Sequence, residues 1–339
     1  MTTDLLEISN LRVEFPGLER TVQAVRGCTL SVTKGEVLGL VGESGSGKSM
    51  TALACLGLVP PPGRVTGSIR LDGHEVVGAP DSDNERLRGS VVAMIFQNPG
   101  KALNPFFTIG RQLIDVITEV RLIDRASAER AAIEALGEVR IADPELAMHK
   151  YPHQVSGGQL QRVMIAMALS CRPKLVIADE PTTALDVTIQ AQVIVLLRDL
   201  AREHGLTVLF ITHDLGVVGS LCDRLAVMYA GRVVESGPVD ALFASPAHPY
   251  TASLLRAVPT LGRGRRTLLQ IPGTVPNMAS PPPGCAFHPR CPAAQPRCAV
   301  EDPVAQARPE ARTVACHYPL AAPGAAGEAA AIPVARAGA

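Results

Sequence analysis

Residues 42–49 read Gly-Glu-Ser-Gly-Ser-Gly-Lys-Ser, and few eight-residue stretches constrain a fold so tightly. The stretch fits G-x-x-x-x-G-K-[ST]; an apolar run, Glu36-Val-Leu-Gly-Leu-Val41, precedes it, and a run of helical character, Met50-Thr-Ala-Leu-Ala-Cys-Leu56, follows. A strand, a glycine-rich loop and a helix in that order form a cradle for phosphate. The glycines let successive backbone N–H groups turn inward, and the helix N-terminus adds the positive end of its dipole. Gly42, Ser44, Gly45 and Gly47 would line the cradle, and Met50 would continue the helix behind it. Lys48 would reach the outer phosphates, and the Ser49 hydroxyl would bind Mg²⁺. A Gly/Ser-rich turn at the end of a strand is the alternative, but it does not require all eight positions. The chain is expected to bind a nucleotide in an α/β fold of the phosphate-loop type.

The bulk properties narrow what else is possible. At 339 residues there is room for about two domains. Lys+Arg and Asp+Glu balance at 32 each, so no whole-chain charge points to nucleic acid or anionic lipid. Aromatic residues make up 3% and Trp is absent, which disfavours a base-stacking surface. The N-terminus lacks the basic-then-apolar pattern of a secretory signal. The longest apolar stretches, such as Val163–Leu169, fall short of the roughly 20 residues of a bilayer span. A soluble chain is expected, with any membrane association made through partners.

Leu5–Ile8, Leu11–Phe15, Val22–Leu30 and Glu36–Val41 alternate like strands. Thr66–Leu71 and Val91–Phe96 read as a further strand pair, with Asp72-Gly73 as a turn signal. From Ile109 to about Cys171 the spacing becomes helical, as in the Ala-rich run Ala126–Val139. Lys174–Ala178 and Leu206–Ile211 are buried-strand candidates; between them Val187, Ile194, Leu197 and Leu200 would form the apolar face of a helix. Strand–helix–strand alternation argues a mostly parallel sheet, with residues 98–172 inserted as a helical subdomain. Beyond Gly237 proline becomes frequent and periodicity fades, apart from a short stretch near Tyr250–Ala257. Residues 321–339 are Ala/Gly/Pro-rich and read as a disordered tail.

Further residues carry chemistry. Leu175-Val-Ile-Ala-Asp-Glu180 is an apolar strand ending in two carboxylates. Asp179 would hold Mg²⁺ and Glu180 would polarise the attacking water; a solvated loop is the alternative when this segment stands alone. Ser156-Gly157-Gly158-Gln159 reads as a capped helix start whose glycines admit close approach of another group, a second anion site. Taken by itself it reads more simply as an ordinary capped helix. Cys28, Cys55, Cys171 and Cys222 lie singly in apolar segments and read as core-filling thiols. Cys285, Cys291, Cys298 and Cys316 lie near the C-terminus, with His288 and His317 close by in sequence. Four thiolates suit Zn²⁺ or an iron–sulfur cluster, although the C-x₂-C knuckles of zinc ribbons are absent.

In order along the chain, these segments resemble the ATP-binding-cassette (ABC) ATPases. Gly42–Ser49 is similar to their Walker A motif, Phe96-Gln97 to the Q-loop, Ser156–Gln159 to the signature motif and Leu175–Glu180 to Walker B. Ala184-Leu185-Asp186 resembles the D-loop, and Ile211-Thr-His213-Asp214 the switch histidine. The likeness covers about residues 4–237. It implies ATP and Mg²⁺ as ligands, with Gln97 sensing the metal and the attacking water and His213 contacting the γ-phosphate. It further implies that Phe15 stacks on adenine, that Asp186 touches a facing cassette, and that catalysis needs the signature motif of a second ATPase subunit.

Val41–Thr51, Ala93–Pro99, Leu103-Asn-Pro105, Tyr151-Pro-His153, Ala178–Gln190, Ala226–Gly231 and His248-Pro-Tyr-Thr251 resemble most the oligopeptide/dipeptide importer ATPases. That resemblance implies a C-terminal region over 238–320 and association with two integral membrane permease subunits at the cytoplasmic face of the membrane. It also implies an extracytoplasmic solute-binding protein and a [4Fe–4S] cluster at the cysteine quartet, with Zn²⁺ or free thiols as alternatives. His288 or His317 would each be able to replace a thiolate. Importers of nickel or another small solute share much of the pattern. A non-transport cassette acting on ribosomes or DNA is opposed by the presence of one cassette and the lack of a long coiled-coil insertion.

Overall fold

The structure, a computed structural model, describes residues 4–183, 186–258 and 271–321. Most of the expected disordered tail and two D-loop positions, Ala184 and Leu185, lie outside the described residues.

The chain opens with β1 (Asp4–Phe15) antiparallel to β2 (Val22–Thr33). The sequence suggests two short runs because its alternation breaks at Ser9-Asn10, but the strand is continuous. Its register shifts between Ile8 and Leu11, and Asn10 sits at a φ of 48°. This bulge lets Leu6 and Ile8, then Leu11 and Val13, all face inward. It also requires glycine opposite, since a Cβ on Gly67 would lie 2.5 Å from the Asn10 carbonyl.

β3 (Val37–Val41) leads into α1 (Lys48–Cys55) through the glycine-rich loop. β4 (Arg64–Leu71) returns along β1 and pairs across Asp72-Gly73 with the two-residue β5 (His74–Glu75). The turn signal is therefore real, but the expected partner is wrong. After α2 (Asp81–Leu87), β6 (Val92–Ile95) joins a different sheet, because its side chains match a surface buried on both faces.

α3 (Pro99–Ala102), α4 (Ile109–Arg121), α5 (Arg125–Glu138), α6 (Pro144–Met148) and α7 (Gly157–Ser170) then form the crossover to β7 (Leu175–Asp179). Side chains of Thr108, Asp124, Asp143 and Ser156 cap four of these helices, each accepting a backbone N–H at the first turn. α8 (Val187–Glu203) follows, but its buried face is Val193, Leu196, Leu197 and Leu200. Val187, assigned to that face from periodicity, is 82% exposed because it is the first residue of the helix, beyond the core's edge.

β8 (Thr207–Thr212), α9 (Leu215–Leu221), β9 (Arg224–Tyr229), β10 (Arg232–Pro238), α10 (Val239–Ala244) and α11 (Pro249–Ala257) follow, and β11 (Gln306–Arg308) and β12 (Arg312–Val314) close the described chain. The large sheet has the order β11-β12-β10-β9-β3-β8-β7-β6. Strands β9, β3, β8, β7 and β6 run parallel, and β10, β12 and β11 continue as an antiparallel edge.

Both faces of the parallel part are buried, so its strands read as unbroken apolar runs. Leu175, Ile177, Leu209 and Ile211 enter the core shared with the small sheet and α1. Val176, Ala178, Val208 and Phe210 enter the core under α4–α8. A third core gathers Tyr229, Tyr250, Leu255 and Phe287, and so ties the C-terminal region to β9 and α9–α11. Composition alone suggests that region is a separate unit. Instead it adds strands to the large sheet, clamped by an ion pair between Arg312 and the fully buried Glu235.

Candidate functional site

Parallel strands deliver their carboxyl ends to one edge of a sheet, and loops leaving neighbouring ends meet there. Here β3, β8, β7 and β6 are consecutive neighbours. The phosphate loop leaves β3, His213 follows β8, Asp179 and Glu180 end β7, and Gln97 follows β6. Residues scattered over more than 170 positions of sequence thus share one edge.

The loop is held open by its glycines. Gly45 has a φ of 80°, and a Cβ there would point into free space; at Gly42 a Cβ would lie 2.1 Å from the Met228 carbonyl. Gly47, with a φ of 103°, caps α1 without any side-chain bond, so the first N–H groups of that helix are not taken by a cap. Lys48 is 5% exposed, and its Nζ donates to the Gly42 carbonyl (2.8 Å), the Glu43 carbonyl (3.1 Å) and Ser46 Oγ (3.4 Å). Burial lowers its pKa, while Glu180, Asp179 and Glu43 oppose that shift.

The Ser49 hydroxyl donates to Asp179 Oδ1 at 3.1 Å. A hydroxyl and a carboxylate oxygen so placed are hard donors of the kind Mg²⁺ takes. Burial raises the pKa of Asp179, a shift that a divalent cation at this pair would reverse. Glu180 lies next to it in sequence but in a different environment. Its Oε2 accepts from Gln97 Nε2 (2.9 Å) and Thr183 Oγ1 (2.9 Å), and its Oε1 lies 3.2 Å from His213 Nδ1. Burial opposes its ionisation, but the bonds from Thr183 and His213 outweigh burial and hold the carboxyl below its ordinary value. Two adjacent acids are thereby pushed in opposite directions by their different surroundings. Glu180 also has a φ of 45°, a backbone position rare outside glycine that costs of order 1 kcal/mol or more. Thr183 carries no motif of its own and went unnoticed in the sequence; its position three residues after Glu180 is the only signal.

The other expected site residues lie apart. Ser156 and Gln159 close a capping box: Gln159 N donates to Ser156 Oγ (3.3 Å) and Ser156 N to Gln159 Oε1 (3.0 Å). Gly158 packs on α8, where a Cβ would meet Ile189 at 2.7 Å, and Gly157 begins the helix. Among the described residues no hydrogen bond joins Ser156–Gln159 to the phosphate loop. Asp186 accepts from Ile189 N and caps α8. Phe15 ends β1, half-buried against the core that includes α1.

Cys285, Cys291, Cys298 and Cys316 line one small cavity together with His248, His288 and His317. Among the described residues no three His, Cys, Asp or Glu side chains are grouped so as to hold a metal ion, so the metal expected at this quartet gains no support from their arrangement. Cys285 and Cys291 lie against the third core, and burial pushes the Cys285 thiol up to about 11. The ring nitrogens of His288 and His317 bond backbone carbonyls of Cys285 and Glu301. Cys28 and Cys55 are buried in the core shared with the small sheet, Cys171 is buried just beyond the end of α7, and Cys222 is half-buried against two of the cores.

Two family models match: "ABC transporter" over residues 25–183, and "Oligopeptide/dipeptide transporter, C-terminal region" over residues 234–298. The Escherichia coli protein named dipeptide transport ATP-binding protein DppD is 45% identical over 317 residues, spanning 93% of this chain and 97% of the relative. The oligopeptide transport ATP-binding protein OppD of the same species is 46% identical over 316 residues, spanning 93% and 94%. A solved structure described as a dimeric post-hydrolysis state of the ATP-binding cassette MJ0796 bound to ADP and Pi superimposes with a TM-score of 0.62 at 28% identity. It covers 69% of this chain and 98% of its own. No helix among the described residues is long and apolar enough to cross a membrane.

Proposed function

This chain belongs to the ATP-binding subunits of the oligopeptide/dipeptide ABC transporters, and from that premise we propose that it hydrolyses ATP to drive peptide uptake across the cytoplasmic membrane. In this reading it sits at the cytoplasmic face on two permease subunits, pairs with a second ATPase, and receives solute through an extracytoplasmic binding protein. Residues 4–237 form the ATPase, with 98–172 as its helical subdomain, and 238–320 the importer-type C-terminal region.

The observation that carries the chemistry is the convergence of Ser49, Asp179, Glu180, Gln97 and His213 at adjacent strand ends. Phosphates would lie along Gly42–Ser49, with Lys48 turning from the loop carbonyls to the outer phosphates and Phe15 beside the adenine. Ser49 and Asp179 would hold Mg²⁺, which supplies charge neutralisation of the phosphates. Glu180, ionised and aimed by Gln97 and His213, orients water and accepts its proton. Asp186 and Ser156–Gln159 face the second cassette, where the Ser156 hydroxyl and the α7 N-terminus would close over nucleotide bound to the partner. Positioning and charge stabilisation account for most of the catalysis in phosphoryl transfer of this kind.

Glu180→Gln tests the assignment. ATP binding is expected to persist and an ATP-dependent dimer to accumulate on gel filtration, while hydrolysis falls about 10²–10⁴-fold, as for loss of a general base. Near-normal turnover would remove Glu180 from the role. Co-purification with integral membrane subunits tests the transport reading; capture of ribosomes or DNA instead would overturn it.

A bound [4Fe–4S] cluster or zinc at the cysteine cavity has one observation in its favour. His248 is buried with Nε2 unpartnered on the lining of the same cavity as the four thiols. Iron, sulfide and zinc analysis of anaerobically purified protein tests it, and absence of all three removes it.

A further inference from the structure

Glu43 occupies one of the free positions of the phosphate-loop pattern, yet both its carboxylate and its backbone N–H are held by residues far along the chain. Arg290 grips its carboxylate with both arms, Nη1 to Oε2 at 2.7 Å and Nη2 to Oε1 at 3.0 Å. The backbone N–H of Glu43 donates to the Tyr250 hydroxyl at 2.9 Å, and its carbonyl accepts from Lys48 Nζ at 3.1 Å. Every polar atom of this residue is therefore engaged, and the side-chain and N–H partners both come from beyond residue 237.

Arg290 is placed to act as a rigid strut. It is 8% exposed, and Nε donates to the Pro272 carbonyl at 2.8 Å. Nη1 also donates to the Tyr229 hydroxyl at 3.3 Å, and Nη2 reaches the Ile271 carbonyl at 3.4 Å. Tyr229, Tyr250 and Phe287 pack their rings at centroid distances of 4.5, 5.2 and 5.3 Å, fixing the platform from which Arg290 and Tyr250 reach the loop. A bidentate guanidinium–carboxylate pair fixes orientation as well as distance, which a lysine would not do. The turn between β9 and β10 adds a third hold: the N–H of Gly231 donates to the Ser46 carbonyl at 2.9 Å.

We propose that Arg290, with Tyr250, is a positioning residue for the ATP site. The C-terminal region sets the backbone of the phosphate loop through Glu43 and thereby the carbonyls on which Lys48 is oriented. This rests on reading the loop as the nucleotide site. A catalytic subunit of this kind would then bind ATP fully only when its C-terminal region is folded against the loop.

Calorimetric titration of ATP with Mg²⁺ into the purified full chain tests it. Arg290→Lys and Glu43→Gln are each expected to weaken ATP binding about tenfold, the scale of one lost charge-assisted pair. Their combination should be no weaker than the worse single change, because both break the same link. In the assembled transporter the KM for ATP should rise by a similar factor with kcat within about twofold. Tyr250→Phe removes one hydroxyl without disturbing the ion pair, and should weaken binding about threefold. ATP affinities within twofold of wild type in all three single variants would overturn the proposal. That holds even if their melting temperatures fall, since Arg290 would then only anchor the C-terminal region. If the wild type fails to bind ATP, or Lys48→Ala binds equally well, the reading of the loop itself is at fault rather than the strut.

Discussion

Among the described residues, two helix N-termini are the candidate anion sites, and they are finished in opposite ways. At α1 the cap is Gly47, which offers no side chain, and the strand-to-helix loop leaves the first-turn N–H groups facing the cradle. At α7 the cap is Ser156, locked with Gln159 in a reciprocal box that satisfies two backbone donors internally. Neither first turn contains an acid, so both dipole ends stay positive. The difference separates a site that needs a ligand from one that does not. α1 can bind phosphate within a single chain, whereas α7 is stable as it stands and offers mainly the Ser156 O–H, whose oxygen already accepts from Gln159 N. The proposed arrangement, in which one chain binds and another completes, would make use of that asymmetry.

The sharpest way to break the comparison is at α1. Lys48→Ala removes the one cation of the cradle, and ATP affinity of the single chain should fall about 100-fold, the scale of about 3 kcal/mol for a lost charged hydrogen bond. Equilibrium binding to a fluorescent ATP analogue measures it, and a change below threefold would mean that this loop is not the nucleotide site. Ser156→Ala makes the complementary change at α7. Affinity in the single chain should stay within twofold, turnover in the assembled transporter should drop about tenfold, and folding stability should fall by about 1 kcal/mol from the lost cap. Weakened binding in the isolated chain would show that the two termini serve one intramolecular site, contrary to the asymmetry.

How much of this was legible in the sequence depended on the range of the interactions involved. The phosphate loop, the β7 carboxylates and the α7 cap are local: a few consecutive residues dictate φ angles, capping and burial, and all could be read directly. β7 and β8 were equally plain, because a strand buried on both faces needs an unbroken apolar run. Pairing was not legible. Nothing in Val91–Phe96 says that its neighbour is β7 rather than Thr66–Leu71, since register is decided by faces that only the assembled cores present. The edge of an element was equally hidden, as Val187 illustrates: its period fits the helix face, but the core ends before it. Least legible were Glu43, Arg290 and Tyr250, whose meeting spans 247 and 207 positions of chain and leaves no spacing signal. The cysteine quartet was legible as a cluster: four thiols close in sequence converge on one cavity beside the third core, although among the described residues they form no group that would hold a metal as they stand.

The smallest effect distinguishes the two termini most cleanly. Gln159→Glu preserves the acceptor that takes the Ser156 N–H, and it adds a negative charge in the first turn of α7, where the dipole favours it by roughly 0.3–1 kcal/mol. An ordinary capped helix should therefore be unchanged or slightly stabilised, and thermal unfolding of the isolated chain measures this. If the same terminus meets a nucleotide phosphate across the paired cassettes, the added charge repels it. For a phosphate about 10 Å from the carboxylate, an effective dielectric of about 20 and physiological salt, the repulsion is about 0.5 kcal/mol, or roughly a twofold loss of turnover. The two readouts thus move in opposite directions only if α7 is both a self-sufficient helix start and an anion site. Turnover equal to wild type together with the stabilisation would leave α1 as the sole anion site and reduce α7 to a cap.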